Sequence, residues 1–216
     1  MKVGTDGVLL GAWCACDASQ RIADIGTGTG LIALMCAQRN ASATIDAIEI
    51  DHSAAECARE NISRSSWGDR IRVIETAIQD FDTEERYDLI VSNPPYFQAS
   101  LKNPNQQRAT ARHTDSLSYE ELIAHAARLL KDSGVLALIL PIEAESEIRT
   151  LAEHNRLYPT HITHIHSKPN KPAKRLLIAL SKQEQSEEPL IRTFYIESES
   201  APRSPEYQDL TRDFYL

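Results

Sequence analysis

Asp24-Ile25-Gly26-Thr27-Gly28-Thr29-Gly30 follows the apolar run Ile22 to Ile25 and opens a helical pattern from Leu31 to Gln38. Glycines between a strand and a helix permit a tight turn and let a ligand approach the backbone closely. Alone, such a loop is shared by nucleotide-binding folds of several kinds. Two details narrow the reading: the acid Asp24 precedes the first glycine, and the spacing is GxGxG rather than GxGxxG. A carboxylate at that place repels a pyrophosphate, yet it can orient loop groups and a bound amino-acid moiety indirectly.

Outward from this loop, apolar runs and helical patterns alternate. Thr44 to Ile50 reads as a second buried strand, and Ser53 opens a helix to about Ser63, with Ser53 and Glu56 in capping-box spacing. Ile71 to Ile74 and Tyr87 to Ser92 read as the third and fourth strands. Ser118, with Glu121 at the reciprocal position, caps a helix to about Lys131; Gly134 ends it, and Val135 to Leu140 is a fifth strand. After a helix from Glu143 to Asn155, His161 to His166 and Leu176 to Leu180 are β-type runs joined by a Lys-Pro-Asn-Lys-Pro loop. Strand–helix alternation predicts an α/β fold with a mostly parallel, seven-stranded sheet and helices on both faces. The late pair lacks a long helix between its members and is expected as an antiparallel hairpin at one edge. Residues 1–182 read as one domain. Residues 183–216 read as an acidic, proline-interrupted extension in which Leu190 to Glu197 can add a further edge strand.

Composition bounds the class. A chain of 216 residues suffices for one well-buried domain, and 42% hydrophobic with 25% charged residues is ordinary for a soluble enzyme. No apolar run approaches the ~20 residues of a membrane helix and no signal-peptide pattern opens the sequence, so a soluble, cytoplasmic protein is expected. No obligatory protein partner is evident, and a monomer is expected. Cys14, Cys16, Cys36 and Cys57 have no CxxC spacing and are expected as ordinary reduced thiols rather than a zinc site. His161, His164 and His166 have no acid or cysteine near them in sequence, so they read as the polar face of an edge strand, and no metal is expected. The net charge of −8 argues against a generic nucleic-acid coating protein. Its distribution is uneven, however. Lys102, Arg108 and Arg112 lie in an acid-free stretch from Ser100 to Thr114. Another, from Asn155 to Gln183, holds Lys168, Lys171, Lys174 and Arg175 among its cations. Two such stretches can hold a polyanion on one face.

Glu49 lies 21 residues after Gly28, at the end of the second strand, where an acid can accept hydrogen bonds from both ribose hydroxyls. Asp51 competes for that role, but Asp51-His52-Ser53 already resembles a helix start. Asn93-Pro94-Pro95-Tyr96 then follows the fourth strand, 63 residues after Gly30, at the sheet edge where open α/β folds place ligands. An adenine amine is a poor nucleophile because its lone pair is delocalised into the ring. The Asn93 side-chain oxygen and the Pro94 carbonyl can accept its hydrogens and favour a pyramidal nitrogen. The prolines hold that backbone rigid, and Tyr96 offers a ring on which an extruded base stacks. These roles are orientation and electrostatic preorganisation, with no general base needed before transfer.

Together these blocks resemble the class I, Rossmann-like methyltransferases, and the NPPY subgroup acts on planar amino or amide nitrogens. Within it, Met1-Lys2-Val3-Gly4-Thr5-Asp6-Gly7-Val8-Leu9-Leu10-Gly11-Ala12-Trp13 resembles the opening block of the bacterial tRNA1(Val) adenine-37 N6-methyltransferases. So do Asp88 to Phe97 and Ala111-Arg112-His113. The resemblance implies S-adenosylmethionine as cofactor, S-adenosylhomocysteine as product and tRNA as partner. It implies cofactor contacts at Thr5 (before the N-terminal helix, by the methionine end), Asp24, Gly26, Gly28, Gly30, Glu49 and Asn93. Where relatives place an acid after the third strand to bind the cofactor's adenine, this sequence has Thr76-Ala77-Ile78-Gln79-Asp80, so main-chain groups near Ala77 or Asp80 are expected to serve. Members of that family carry a segment ahead of the lysine-valine-glycine block, so upstream residues are expected. Competing readings are a release-factor glutamine methyltransferase, an enzyme for another RNA or DNA adenine, a non-catalytic RNA-binding module, and a nicotinamide oxidoreductase. Release-factor enzymes add an N-terminal helical domain and DNA enzymes a target-recognition domain, which this length leaves no room for. The oxidoreductase leaves NPPY unexplained.

Overall fold

The computed structural model describes residues 4–95 and 117–215. Eight strands form one sheet: β1 (Arg21–Ile25), β2 (Thr44–Glu49), β3 (Ile71–Glu75), β4 (Tyr87–Ser92), β5 (Leu130–Pro141), β6 (Tyr158–His166), β7 (Ala173–Ser181) and β8 (Leu190–Tyr195). Their order across the sheet is β3-β2-β1-β4-β5-β7-β6-β8. The first five strands pair in parallel; β7 runs antiparallel between β5 and β6. The helices are α1 (Thr5–Trp13), α2 (Leu31–Arg39), α3 (His52–Ser63), α4 (Tyr119–Leu129), α5 (Glu145–His154) and α6 (Pro205–Thr211).

Period-two alternation divides the core between the two faces. Along β5, Leu136, Leu138 and Leu140 pack with Leu122, Ile123 and Ile148 of α4 and α5. Ala137 and Ile139 point the other way, into a cluster with Leu9, Leu10, Ile32, Cys36 and Ile62 of α1, α2 and α3. Both faces are thus closed by apolar helix stripes, and the central strands are buried almost throughout. The chain runs from β1 out to β3, then returns to place β4 on the other side of β1. That reversal opens a crevice between the carboxyl ends of β1 and β4, the place where open parallel sheets take ligands.

Three local expectations need correction. The hairpin of β6 and β7 is not at the edge, because β8 pairs in parallel beyond β6, with Ile162 opposite Ile191. β8 is the further edge strand expected from Leu190 to Glu197, so among the described residues the sheet has eight strands. Helix α3 is capped by Asp51, whose Oδ1 accepts from the Ala54 amide at 2.8 Å, rather than by Ser53. Glu56 turns instead to Arg59. Finally, α4 ends at Leu129 and β5 starts at once, because buried Leu130 already pairs with Tyr87. Gly134 lies inside that strand, where a Cβ would sit 2.8 Å from the Tyr87 carbonyl. The capping box of Ser118 and Glu121 forms as expected.

Candidate active site

The crevice holds a cleft of about 770 Å³. One wall is the glycine loop. The amides of Gly26 and Thr27 both donate to the Ile48 carbonyl, at 2.9 and 3.0 Å, which draws the loop over the end of β2. Gly26 has φ +69°, and a Cβ built on it meets no atom within 4 Å. The residue is glycine for its left-handed backbone, and its bare face leaves room along the cleft. Gly28, also left-handed at φ +59°, donates its amide to Glu49 Oε2 at 2.8 Å. Glu49 Oε1 accepts from the Asp51 amide at 2.9 Å. Each carboxylate oxygen thus holds one main-chain donor and retains a further acceptor site, and Glu49 lines the cleft.

Two residues expected at the cofactor stand behind the loop and do not line the cleft. Gly30 is the residue before α2, with φ +83°, and a Cβ there would lie 3.3 Å from Ile62 Cδ1. Its smallness serves the contact with α3. Asp24 is fully buried, accepting from Thr27 Oγ1 at 2.6 Å and the Ala33 amide at 3.1 Å. It ties the loop to the first turn of α2, which is an indirect role. Burial pushes its carboxyl up to about 6, against the opposing hydrogen bonds from Thr27 and Ala33 and with help from the Glu49 charge. The folded state therefore binds this proton more tightly than the unfolded chain, so stability falls as pH rises from about 4 to about 6 and then levels off. Asp24→Asn should remove that slope, worth roughly 1–3 kcal/mol. Urea midpoints of both proteins at pH 4 and pH 7 measure it, and parallel pH profiles would contradict it.

The opposite wall begins at β4. Ser92 is buried, and its hydroxyl donates to the Ile25 carbonyl at 2.8 Å, pinning the end of β4 to the end of β1. Asn93, Pro94 and Pro95 follow directly and line the cleft, with Asn93 half-buried and Pro94 buried. Gly28 and Asn93, 65 residues apart in sequence, thereby line one cavity. Thr5, the first residue of α1 rather than one preceding it, closes one end together with Asp6. Ala77 lines the far end, in a turn closed by the Asp80 amide donating to its carbonyl at 3.1 Å. Tyr96, Lys102, Arg108 and Arg112 lie outside the described residues.

Other lining residues had no motif to announce them. Ile50 keeps 49% of its surface exposed, yet it lines the cleft beside Glu49, with buried Ile78 in the same wall. A large apolar residue following a strand-end acid was the available signal. Leu117, just ahead of the capping box, supplies a further apolar surface. In the basic hairpin, Lys168, Lys171 and Lys174 are exposed, and Lys168 pairs with Glu197 at 3.2 Å. Arg175 is engaged inward: its Nε donates to Asp6 Oδ2 at 2.8 Å, joining β7 to the start of α1. His164, on β6, meets Glu145 at 2.9 Å, an acid brought in by the fold from 19 residues away. Among the described residues no helix is long and apolar enough to cross a membrane.

Comparison with known proteins agrees with this architecture. Residues 8–154 match the family described as the Methyltransferase small domain. The fold is shared with a solved protein of Agrobacterium tumefaciens assigned as an O-methyltransferase, at a TM-score of 0.76, 22% identity and 96% of both chains. A geranyl diphosphate C-methyltransferase from Streptomyces coelicolor, crystallised with S-adenosyl-L-homocysteine, superposes with a TM-score of 0.59 at 14% identity, over 82% of this chain and 76% of that one. Closer in sequence are curated proteins named tRNA1(Val) (adenine(37)-N6)-methyltransferase, among them those of three bacteria. That of Bacteroides fragilis is 49% identical over 100% of this chain and 91% of its own length. Those of Flavobacterium johnsoniae and Trichodesmium erythraeum are each 45% identical over 100% of this chain, covering 93% and 91% of their own lengths. Identity at close to half of all positions, sustained across a methyltransferase fold from end to end, means that the chain belongs to the tRNA1(Val) (adenine(37)-N6)-methyltransferase family.

Proposed function

We propose that the chain methylates the exocyclic N6 amine of an adenine in tRNA, adenine 37 of tRNA1(Val), using S-adenosylmethionine. The observation that carries this is the shared cleft: the glycine loop with Glu49 on one wall, and Asn93 with Pro94 on the other. The residues suit the cofactor. Glu49 offers acceptors for ribose hydroxyls, Ile50 and Ile78 offer apolar surface for an adenine, and the bare backbone of Gly26 leaves space beside them. Thr5 and the N-terminal pole of α1 suit a carboxylate. Bound S-adenosylmethionine supplies a methyl group on a sulfonium sulfur and leaves as S-adenosylhomocysteine.

Asn93 Oδ1 and the Pro94 carbonyl accept the two hydrogens of the target amine. This turns the nitrogen lone pair out of the ring system and holds it toward the cofactor side of the cleft. Ser92 and the two prolines keep these acceptors in place before the base arrives, so little reorganisation is needed at reaction. Tyr96 stacks on the extruded base, and the surplus proton passes to water. Extruding an adenine costs a few kcal/mol, least in a single-stranded loop, and an anticodon loop meets that condition. We place the reaction in the cytoplasm, where tRNA is found.

Lys168, Lys171 and Lys174 hold the RNA backbone, and Lys102, Arg108 and Arg112, outside the described residues, supply further phosphate contacts. Arg175 instead positions α1 through Asp6. Incubation with methyl-labelled S-adenosylmethionine, total tRNA and a release factor should place the label in N6-methyladenosine; label only in the release factor would favour the release-factor reading. Run across a salt series, the same mixture tests the lysines. Each phosphate contact to single-stranded RNA contributes about −0.7 to the log–log slope of binding. Lys171→Glu with Lys174→Glu should flatten that slope, leaving cofactor affinity alone. An unchanged slope would assign the hairpin to solvent.

A further inference from the structure

Three of the four cysteines converge at a place that methyl transfer does not use. Cys14 is the residue that ends α1, Cys16 lies two positions on, and Cys36 occupies the last turn of α2. All three side chains are fully buried. Their sulfurs lie within 4.8 Å of one another, with Cys14 and Cys36 at 3.8 Å. The expectation of separate thiols came from their spacing in sequence; the packing of α1 on α2 brings the third to the first two. A buried free cysteine is a small hydrophobe with a weak donor; what sets these three apart is that their sulfurs meet at one point.

The surroundings are built rather than loose. Asn40 donates to the carbonyls of Cys16 and Ser19, each at 2.7 Å, and so fixes the segment after α1. Arg39 donates to the carbonyls of Gly11, Ala12 and Cys14 at 2.7–3.0 Å, and its Nη1 lies 3.9 Å from Cys14 Sγ. The guanidinium, whose Nη2 also pairs with Asp17 at 2.9 Å, stands beside Cys14 Sγ and offsets part of the charge of a thiolate donor set.

We infer that Cys14, Cys16 and Cys36 form a binding site for one soft, thiophilic monovalent metal ion, copper(I), held by three thiolates. With metal–sulfur bonds of about 2.3 Å, three sulfurs around one ion stand roughly 4 Å apart. The observed separations reach that by a closure of less than about 1 Å. Zinc in a closed structural site takes four protein ligands. Among the described residues the cluster consists of three cysteines, with no histidine or acid added. Donor number and softness both favour copper(I). On binding, three S–H bonds give way to three copper–sulfur bonds, the protons leave to solvent, and copper keeps its oxidation state.

The test uses the full chain, reduced and free of oxygen, titrated with copper(I) against a chromophoric copper(I) chelator. One equivalent per chain should be withdrawn from the chelator, with a near-ultraviolet thiolate-to-metal absorption. Copper(I) should also raise the unfolding temperature, since the site exists only in the folded chain. Cys36→Ser should lose at least about tenfold in affinity, for want of one of three ligands. Cys57→Ser, on α3 and outside the cluster, should bind as wild type does. No withdrawal by the wild type, or equal loss in Cys57→Ser, would overturn the site whether or not Cys36→Ser folds. Preference for zinc, with a four-coordinate spectrum on cobalt substitution, would overturn the three-coordinate assignment.

Discussion

Asn93→Ala should lower the single-turnover rate of methyl transfer about 10²–10³-fold, the usual consequence of losing one preorganised polar group aimed at the reacting centre. Cofactor affinity should stay close to wild type. The separation follows from the geometry. Asn93 lines the cleft immediately after Ser92, whose hydroxyl anchors the segment to the Ile25 carbonyl. Pro94 and Pro95 restrain the backbone that follows. Truncating one side chain leaves the Ser92 anchor and both prolines in place and removes the acceptor proposed for the target amine. Rapid-quench measurement with labelled cofactor and tRNA, beside calorimetry of cofactor binding, reads both quantities. A rate within a few-fold of wild type would mean that the amine is oriented by other groups.

Glu49→Ala should act on the other quantity, weakening S-adenosylmethionine binding by about 1–3 kcal/mol. The side chain does two things at once. In the proposed complex it offers acceptors to the ribose, and it holds the Gly28 amide at 2.8 Å and the Asp51 amide at 2.9 Å. Its removal costs direct contacts and also frees the glycine loop. Glu49→Gln retains one acceptor oxygen for one of those amides, so its loss should fall between wild type and Glu49→Ala. Calorimetry with S-adenosylmethionine and with NAD settles the order. NAD bound as tightly as S-adenosylmethionine would return the site to the oxidoreductase reading.

The cleft was legible in sequence because its chemistry sits at strand ends. Strand, glycine loop and helix come consecutively, so Gly26 and Gly28 could be placed from the local pattern alone. Glu49 and Asn93 could be placed because parallel strands in a crossover fold deliver their carboxyl ends to one edge. Asp24 and Gly30 belong to the same motif yet face α2 and α3, and a linear motif does not say which side of a loop touches ligand. Arg175 looked like one more cation of a basic hairpin; its partner Asp6 is 169 residues away and invisible to local reading. The thiol cluster was missed for the same reason, since Cys36 meets Cys14 only when α1 lies along α2. Strand β8 showed only weak alternation because it is an outer strand, with Leu190 and Ile191 still 45% and 56% exposed.

One measurement bears most directly on the assignment: single-turnover methylation of a tRNA1(Val) transcript beside a copy in which adenine 37 is replaced by guanine. The proposed grip of Asn93 and Pro94 on an exocyclic adenine amine predicts one methyl group per unaltered transcript, recovered as N6-methyladenosine, and none in the altered copy. Equal methylation of both transcripts, or label recovered on a ring nitrogen or a ribose, would contradict it.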